Sequence, residues 1–146
     1  MKYVAQQHPL GCLIASVAMV LDMTYEQVAE TIPLQDMEEL EKTGVNRLGL
    51  IAYDRIGELA RSRNIQIVDS ESGQFVCEVG LRYLAVFPAG TDPLMTHTVA
   101  IDEMGLVFDP NPENEHVRGY WSSFDFLGMM EFRPASNSAS ETVTGM

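Results

Sequence analysis

The chain has 146 residues, 46% of them apolar and 21% charged, a balance that suits one globular domain with its own core. Its net charge of −12 excludes the basic footprint that a nucleic-acid partner requires and leaves a neutral or basic substrate, or simply a solvated acidic surface. The longest apolar run, Cys12 to Leu21, falls well short of the ~20 residues of a membrane span. The start of the chain carries one Lys and no hydrophobic signal core, so a cytoplasmic location is expected.

The first half reads as helical. Leu13 to Met23 is apolar on nearly every side, which predicts a buried helix rather than an amphipathic one. Thr24 followed by Gln27 forms a capping-box pattern for a short helix through Ile32, and Pro33 ends it. Asp36 to Lys42 reads as a third, exposed turn or two. Asn46 is placed to cap a longer helix, in which Leu48, Ile51, Ala52, Ile56, Leu59 and Ala60 recur at helical spacing.

The second half reads as extended. Strands are expected at Ile65–Val68, Phe75–Glu78, Tyr83–Phe87, His97–Ile101, Leu106–Asp109 and Met130–Phe132. Residues 102–105 are expected to form a turn, and Ser122 or Ser123 is placed to cap a helical turn over Phe124–Leu127. Helices followed by antiparallel strands give an α+β domain over residues 1–134. Residues 135–146, rich in Ser, Thr, Ala and Gly, read as a flexible tail.

Cys12 carries the strongest chemical signal. The loop His8-Pro9-Leu10-Gly11 delivers it to the first turn of the buried helix, where amide groups and the macrodipole favour negative charge. A thiol so placed ionises more readily, and thiolate is the nucleophile of covalent catalysis. Cys77, in Phe75-Val76-Cys77, reads as core. Two cysteines are too few for a disulfide framework, and both are expected reduced.

A cysteine nucleophile needs a base, and the base needs an orienting group. His8 lies on the cysteine's own loop and His116 in a polar loop, whereas His97 opens a strand. If His97 stands directly opposite Asp109 in the hairpin, the carboxylate can hold the imidazole. That pairing requires a three- or five-residue loop or a bulge, because a four-residue turn over 102–105 sends Asp109 to the other face. The Gln6 carboxamide and the Cys12 backbone N–H are candidate oxyanion donors, with Gln7 as the competitor for the side-chain role.

The motifs together resemble a known family. Gln6, six positions before Cys12, and Cys12-x-x-Ala15-x-x-Ala18-Met19-Val20-Leu21 resemble the double-glycine leader peptidases that process bacteriocin precursors, compact members of the papain-like cysteine peptidase superfamily. Gly44-Val45-Asn46-Arg47-Leu48-Gly49-Leu50 resembles their second helix start. His97-Thr98-Val99-Ala100-Ile101 and Asp109-Pro110 resemble their histidine strand and aspartate-proline end, and Ser122–Phe132 their closing elements. The chain departs from the family in having Gly11 and Leu13 where Asp and Gly often flank the cysteine.

The resemblance implies a papain-like fold, with Cys12 as nucleophile, His97 as base, Asp109 as orienting group and Gln6 as oxyanion donor. It implies a peptide or protein substrate and no cofactor; the spacing of Cys12, Cys77, His97 and Asp109 matches no zinc pattern. Two other readings are a thiol-dependent acyltransferase using the same residues and a non-catalytic module whose acidic surface holds a basic partner. The sequence does not fix the oligomeric state.

Overall fold

The apolar run of the N-terminal half is α1 (Cys12–Leu21) in a computed structural model that describes residues 1–8, 11–32, 47–69, 75–88 and 96–135, with backbone alone for 47–53. Every residue from Leu13 to Leu21 is buried, as expected of a helix with no polar face. It ends two residues earlier than the apolar pattern, because Asp22 turns into the left-handed region at φ 55°. Arg82 fixes this end to the sheet, donating to the Val20 carbonyl at 3.1 Å and pairing with Asp22 at 2.9 Å.

Thr24 and Gln27 form the expected reciprocal capping box at the start of α2 (Tyr25–Thr31). The longer helix is α3 (Arg47–Ser62), with Ile56, Leu59 and Ala60 buried. The turn expected at Asp36–Lys42 and the Asn46 cap lie outside the described residues.

Six strands form one antiparallel sheet: β1 (Ile65–Asp69), β2 (Arg82–Pro88), β3 (Thr96–Ile101), β4 (Leu106–Phe108), β5 (Val117–Tyr120) and β6 (Gly128–Pro134). Their order is β1-β6-β2-β3-β4-β5. The described chain is thus α+β, with three helices and a six-stranded antiparallel sheet.

Alternation along the strands builds two cores. Leu84, Ala100 and Phe132 pack beneath α1, α2 and α3. Tyr83, Ala85, Val99, Ile101, Val107 and Met129 face the other way, covered by Phe75, Cys77, Leu81, Trp121, Phe124 and Phe126.

Two expectations change, and one strand had not been foreseen. Phe75–Glu78 is not a strand: its burial alternates, with Val76 63% exposed, but it covers the second face as an irregular segment tied by the Glu78 N–H to the Tyr83 hydroxyl at 2.8 Å. The turn expected over Phe124–Leu127 falls instead at Trp121–Ser123 as a 3-10 turn, because Phe124 and Phe126 are drawn onto the sheet. β5, whose residues are mostly exposed, had no hydrophobic pattern to announce it.

Candidate active site

The site is assembled where the N-terminus of α1 meets β3 and the loop after β4. Cys12 is the first residue of α1, with Gly11 as its N-cap. α1 is fixed over β3 by the buried Ser16 hydroxyl, which donates to the Thr98 carbonyl at 3.1 Å. This docking brings Cys12 into hydrogen-bond contact with the His97 side chain and the Thr98 backbone.

The β3–β4 hairpin turns through a three-residue loop, with the Asp102 N–H donating to the Leu106 carbonyl at 3.0 Å. Gly105 takes φ +85°, a backbone conformation that a side chain would strain, and the Asp102 carboxylate caps the Met104 and Leu106 N–H groups at 2.9 Å. Ala100 pairs with Phe108 and Ile101 with Val107. One step further, this register sets Asp109 beside Val99, not directly opposite His97 as expected. It keeps Asp109 on the face that His97 shares, so the contact is diagonal, with His97 Nε2 2.7 Å from Asp109 Oδ1.

Because Asp109 occupies Nε2, Nδ1 is the imidazole nitrogen left for Cys12. In the neutral ring, Nε2–H donates to the carboxylate and Nδ1 can accept the thiol proton. Phe87, opposite His97 in β2, places its ring edge-on to the imidazole at 5.5 Å.

Asp109 has no exposed side-chain surface and is satisfied all round. Besides His97, Oδ1 accepts from the Asn111 N–H at 2.9 Å; Oδ2 accepts from Asn114 Nδ2 at 3.0 Å and Arg118 Nη1 at 2.6 Å. A buried charge without such partners would be prohibitive. Arg118 and Asn114 escape sequence reasoning, because both stand in a polar stretch with no periodicity.

Electrostatics pull the three groups toward charge separation. Burial alone would raise the Cys12 thiol, but hydrogen bonds with His97 and Thr98 and the imidazolium charge bring it below its ordinary value. Burial would lower His97, yet its contacts with Asp109 and Cys12 hold it up at about 9. Burial would raise Asp109; the hydrogen bonds from His97 and Asn111, with the nearby cations, bring it down to about 2. The shifts move the pair toward thiolate and imidazolium, and the two groups titrate as a unit.

Gln6 lies on a strap that ties the cysteine loop to the Asp109 loop. Its backbone N–H donates to the Pro110 carbonyl at 2.8 Å, and the Tyr3 hydroxyl donates to the Asp109 carbonyl at 2.8 Å. Its side-chain amide donates to the His8 carbonyl at 3.1 Å, which also receives the Gly11 N–H at 2.8 Å. Gln7 is exposed and turns toward Glu26 on α2 at 3.5 Å. Of the two glutamines, Gln6 is on the inner side of the loop.

His116 stacks on Tyr3 at 4.0 Å, exposed, with its carbonyl bonded to the Asp109 N–H. Cys77 lies under the other face, its thiol pushed up to about 12 by burial and by Glu131. Neither joins the constellation. Among the described residues, no group of three or more His, Cys, Asp or Glu side chains is arranged to hold a metal ion.

Tyr25 explains Gly11. A Cβ at residue 11 would sit 2.3 Å from the Tyr25 hydroxyl and 3.1 Å from the His8 carbonyl. The Gln7 N–H holds that hydroxyl in place. Glycine is required here by space, since φ −90° and ψ 10° are open to any residue.

No protein-family model matches the chain, and no curated protein matches it. Among the described residues no single helix is long and apolar enough to cross a membrane.

Proposed function

We propose that the chain is a cysteine peptidase-like hydrolase with a papain-like fold, cleaving a peptide or amide bond through Cys12, His97 and Asp109. One observation carries this reading: a thiol at a helix N-terminus in hydrogen-bond contact with an imidazole whose Nε2 is 2.7 Å from a fully buried carboxylate.

His97 takes the Cys12 proton at Nδ1, and the thiolate attacks the substrate carbonyl. The oxyanion of the tetrahedral intermediate receives the Cys12 N–H and the Gln6 carboxamide, which strengthen as charge develops. The imidazolium returns its proton to the leaving nitrogen, and the C–N bond breaks to leave a thioester. Water, deprotonated by His97, attacks that thioester, and the thiolate departs as the carboxylic acid is released. Asp109 stays ionised throughout and holds the imidazole in one orientation.

The test is hydrolysis of a fluorogenic peptide library by wild type and Cys12→Ala. Turnover that disappears in the variant, with circular dichroism and melting unchanged, is the expected result. Turnover retained without the thiol overturns the proposal. The −12 charge favours library members with basic residues.

A further inference from the structure

Strands β4 and β5 pair out of step. Leu106 opposes Tyr120 and Val107 opposes Gly119, but Phe108 opposes Val117. Arg118 is therefore the extra residue of a β-bulge, left out of the ladder. Gly119 beside it has φ +127°, with nothing near enough to crowd a Cβ. Backbone conformation, not lack of space, selects glycine there. A bulge twists its strand and re-aims a side chain.

The re-aimed side chain is the one that reaches the buried carboxylate. Arg118 Nη1 is 2.6 Å from Asp109 Oδ2, the oxygen that His97 does not use. Asn114 supports the same oxygen at 3.0 Å. From Arg118 through Asp109 and His97 to Cys12, the charges alternate: guanidinium, carboxylate, imidazolium, thiolate.

We infer that the Arg118–Gly119 bulge is a positioning device, which clamps the far oxygen of Asp109 so that its near oxygen is held toward His97 Nε2. The inference rests on the reading of Cys12, His97 and Asp109 as a working triad, and it adds the group that acts on the triad from outside. A carboxylate held on both oxygens cannot rotate away when the imidazole gains or loses its proton. The guanidinium also moderates the field at the imidazole. Without it, the carboxylate holds the imidazolium proton more tightly, and the thiol, with one cation fewer nearby, holds its own to higher pH.

Among the described residues, Tyr25 stands near the Cys12 end of this chain of charges, its hydroxyl raised by burial and by the Cys12 charge. Tyr3 donates to the Asp109 carbonyl, and His116 stacks on Tyr3. Glu113 and Glu115 stand exposed on the loop that carries Asn114. All five stay in place in the variants below, so a shift in titration reports Arg118.

The experiment follows the rate of Cys12 alkylation by iodoacetamide against pH in the full chain, with peptide mass spectrometry to separate Cys12 from Cys77. In wild type, an acid limb marks formation of the ion pair and an alkaline limb marks loss of the His97 proton. Arg118→Gln should move both limbs to higher pH by roughly half to one unit, allowing for the partial exposure of the guanidinium. Arg118→Lys, which restores the charge, should return both limbs to wild-type positions.

Wild-type limbs in Arg118→Gln overturn the inference, as does an Arg118→Lys profile that matches Arg118→Gln. Gly119→Ala keeps the guanidinium and strains only the bulge. It should shift the limbs the same way by a smaller amount, and an unchanged profile overturns the role of the bulge even if Arg118→Gln does not fold. The two levels of the reading separate cleanly. A reactive Cys12 indifferent to residue 118 sinks the clamp and leaves the hydrolase proposal standing. A Cys12 inert across the whole range sinks both.

Discussion

His97 Nε2 and Asp109 Oδ1 lie 2.7 Å apart, and the carboxylate that makes this contact has no exposed side-chain surface. Burial of the carboxylate weakens solvent screening, so Asp109 is the leading group that holds the His97 proton. Asp109→Asn preserves shape and one acceptor but removes the charge. The alkaline limb of Cys12 reactivity should then fall from about 9 toward the ordinary histidine value near 6.5. Arg118 loses its partner as well, which costs about 1–3 kcal/mol of stability for a hydrogen-bonded charge that is 34% exposed. Alkylation profiles and urea unfolding of the variant check both parts.

The same contact makes folding stability depend on pH in two separate windows. Asp109 is depressed to about 2 from 3.8, so its contribution is present above 3.8 and disappears as pH falls through about 2. It amounts to about 2 kcal/mol. His97 is raised to about 9 from 6.5, so its contribution is fully present below 6.5 and disappears as pH rises through about 9. The two contributions share one hydrogen bond and do not add. Urea midpoints across pH should form a plateau between the windows and fall on either side. In His97→Gln the alkaline fall should vanish, and a fall that persists there would assign it to another group.

Much of the fold was legible because it follows from side-chain pattern. The largely apolar run of α1, the Thr24–Gln27 box and the strands that carry Tyr83 and Val99 are all local signals. Cys12, His97 and Asp109, which the fold brings together, were legible by type and order. Their geometry was only half legible, because a one-residue change of register moves Asp109 across the sheet and nothing local sets that register except the loop around Gly105. β5 went unforeseen and Phe75–Glu78 was misread for a common reason. Exposed residues pair in β5 and alternating residues fail to pair in 75–78, and partner availability decides each case. Arg118 could not be found from sequence at all, because its value lies in a bulge that only strand pairing creates.

Gly11 and Tyr25 should behave as a coupled pair. Gly11→Ala drives a methyl group to 2.3 Å from the Tyr25 hydroxyl, which is held by the Gln7 N–H in a ring only 8% exposed. The expected loss is about 1–3 kcal/mol, with slower Cys12 alkylation because the loop beside the thiol moves. Tyr25→Phe removes the obstructing oxygen; the next ring atom, at 3.3 Å, needs only a small shift. The double variant should therefore be more stable than the sum of the single effects. Simple additivity in the double-mutant cycle would mean that the methyl group meets its resistance elsewhere, at the His8 carbonyl.

Gln6 offers the sharpest separation between binding charge in the transition state and shaping the loop. As an oxyanion donor, its carboxamide acts only once the thiolate has attacked a carbonyl, so Gln6→Ala should lower kcat for peptide hydrolysis by ~10²-fold or more. The Cys12–His97 pair forms before that step. Alkylation by iodoacetamide, which builds no oxyanion, should keep its wild-type rate and both pH limbs. A loop-shaping role predicts another pattern, because the same amide holds the His8 carbonyl at 3.1 Å on the turn that delivers Cys12. Loss of that tie would disturb the thiol itself, and alkylation and hydrolysis would fall together. Gln6→Glu refines the distinction: it retains length but places a carboxylate where the oxyanion forms, so hydrolysis should fall further than in Gln6→Ala, through repulsion at the transition state. Equal losses in the two variants would remove Gln6 from the oxyanion site and leave the Cys12 N–H as its donor.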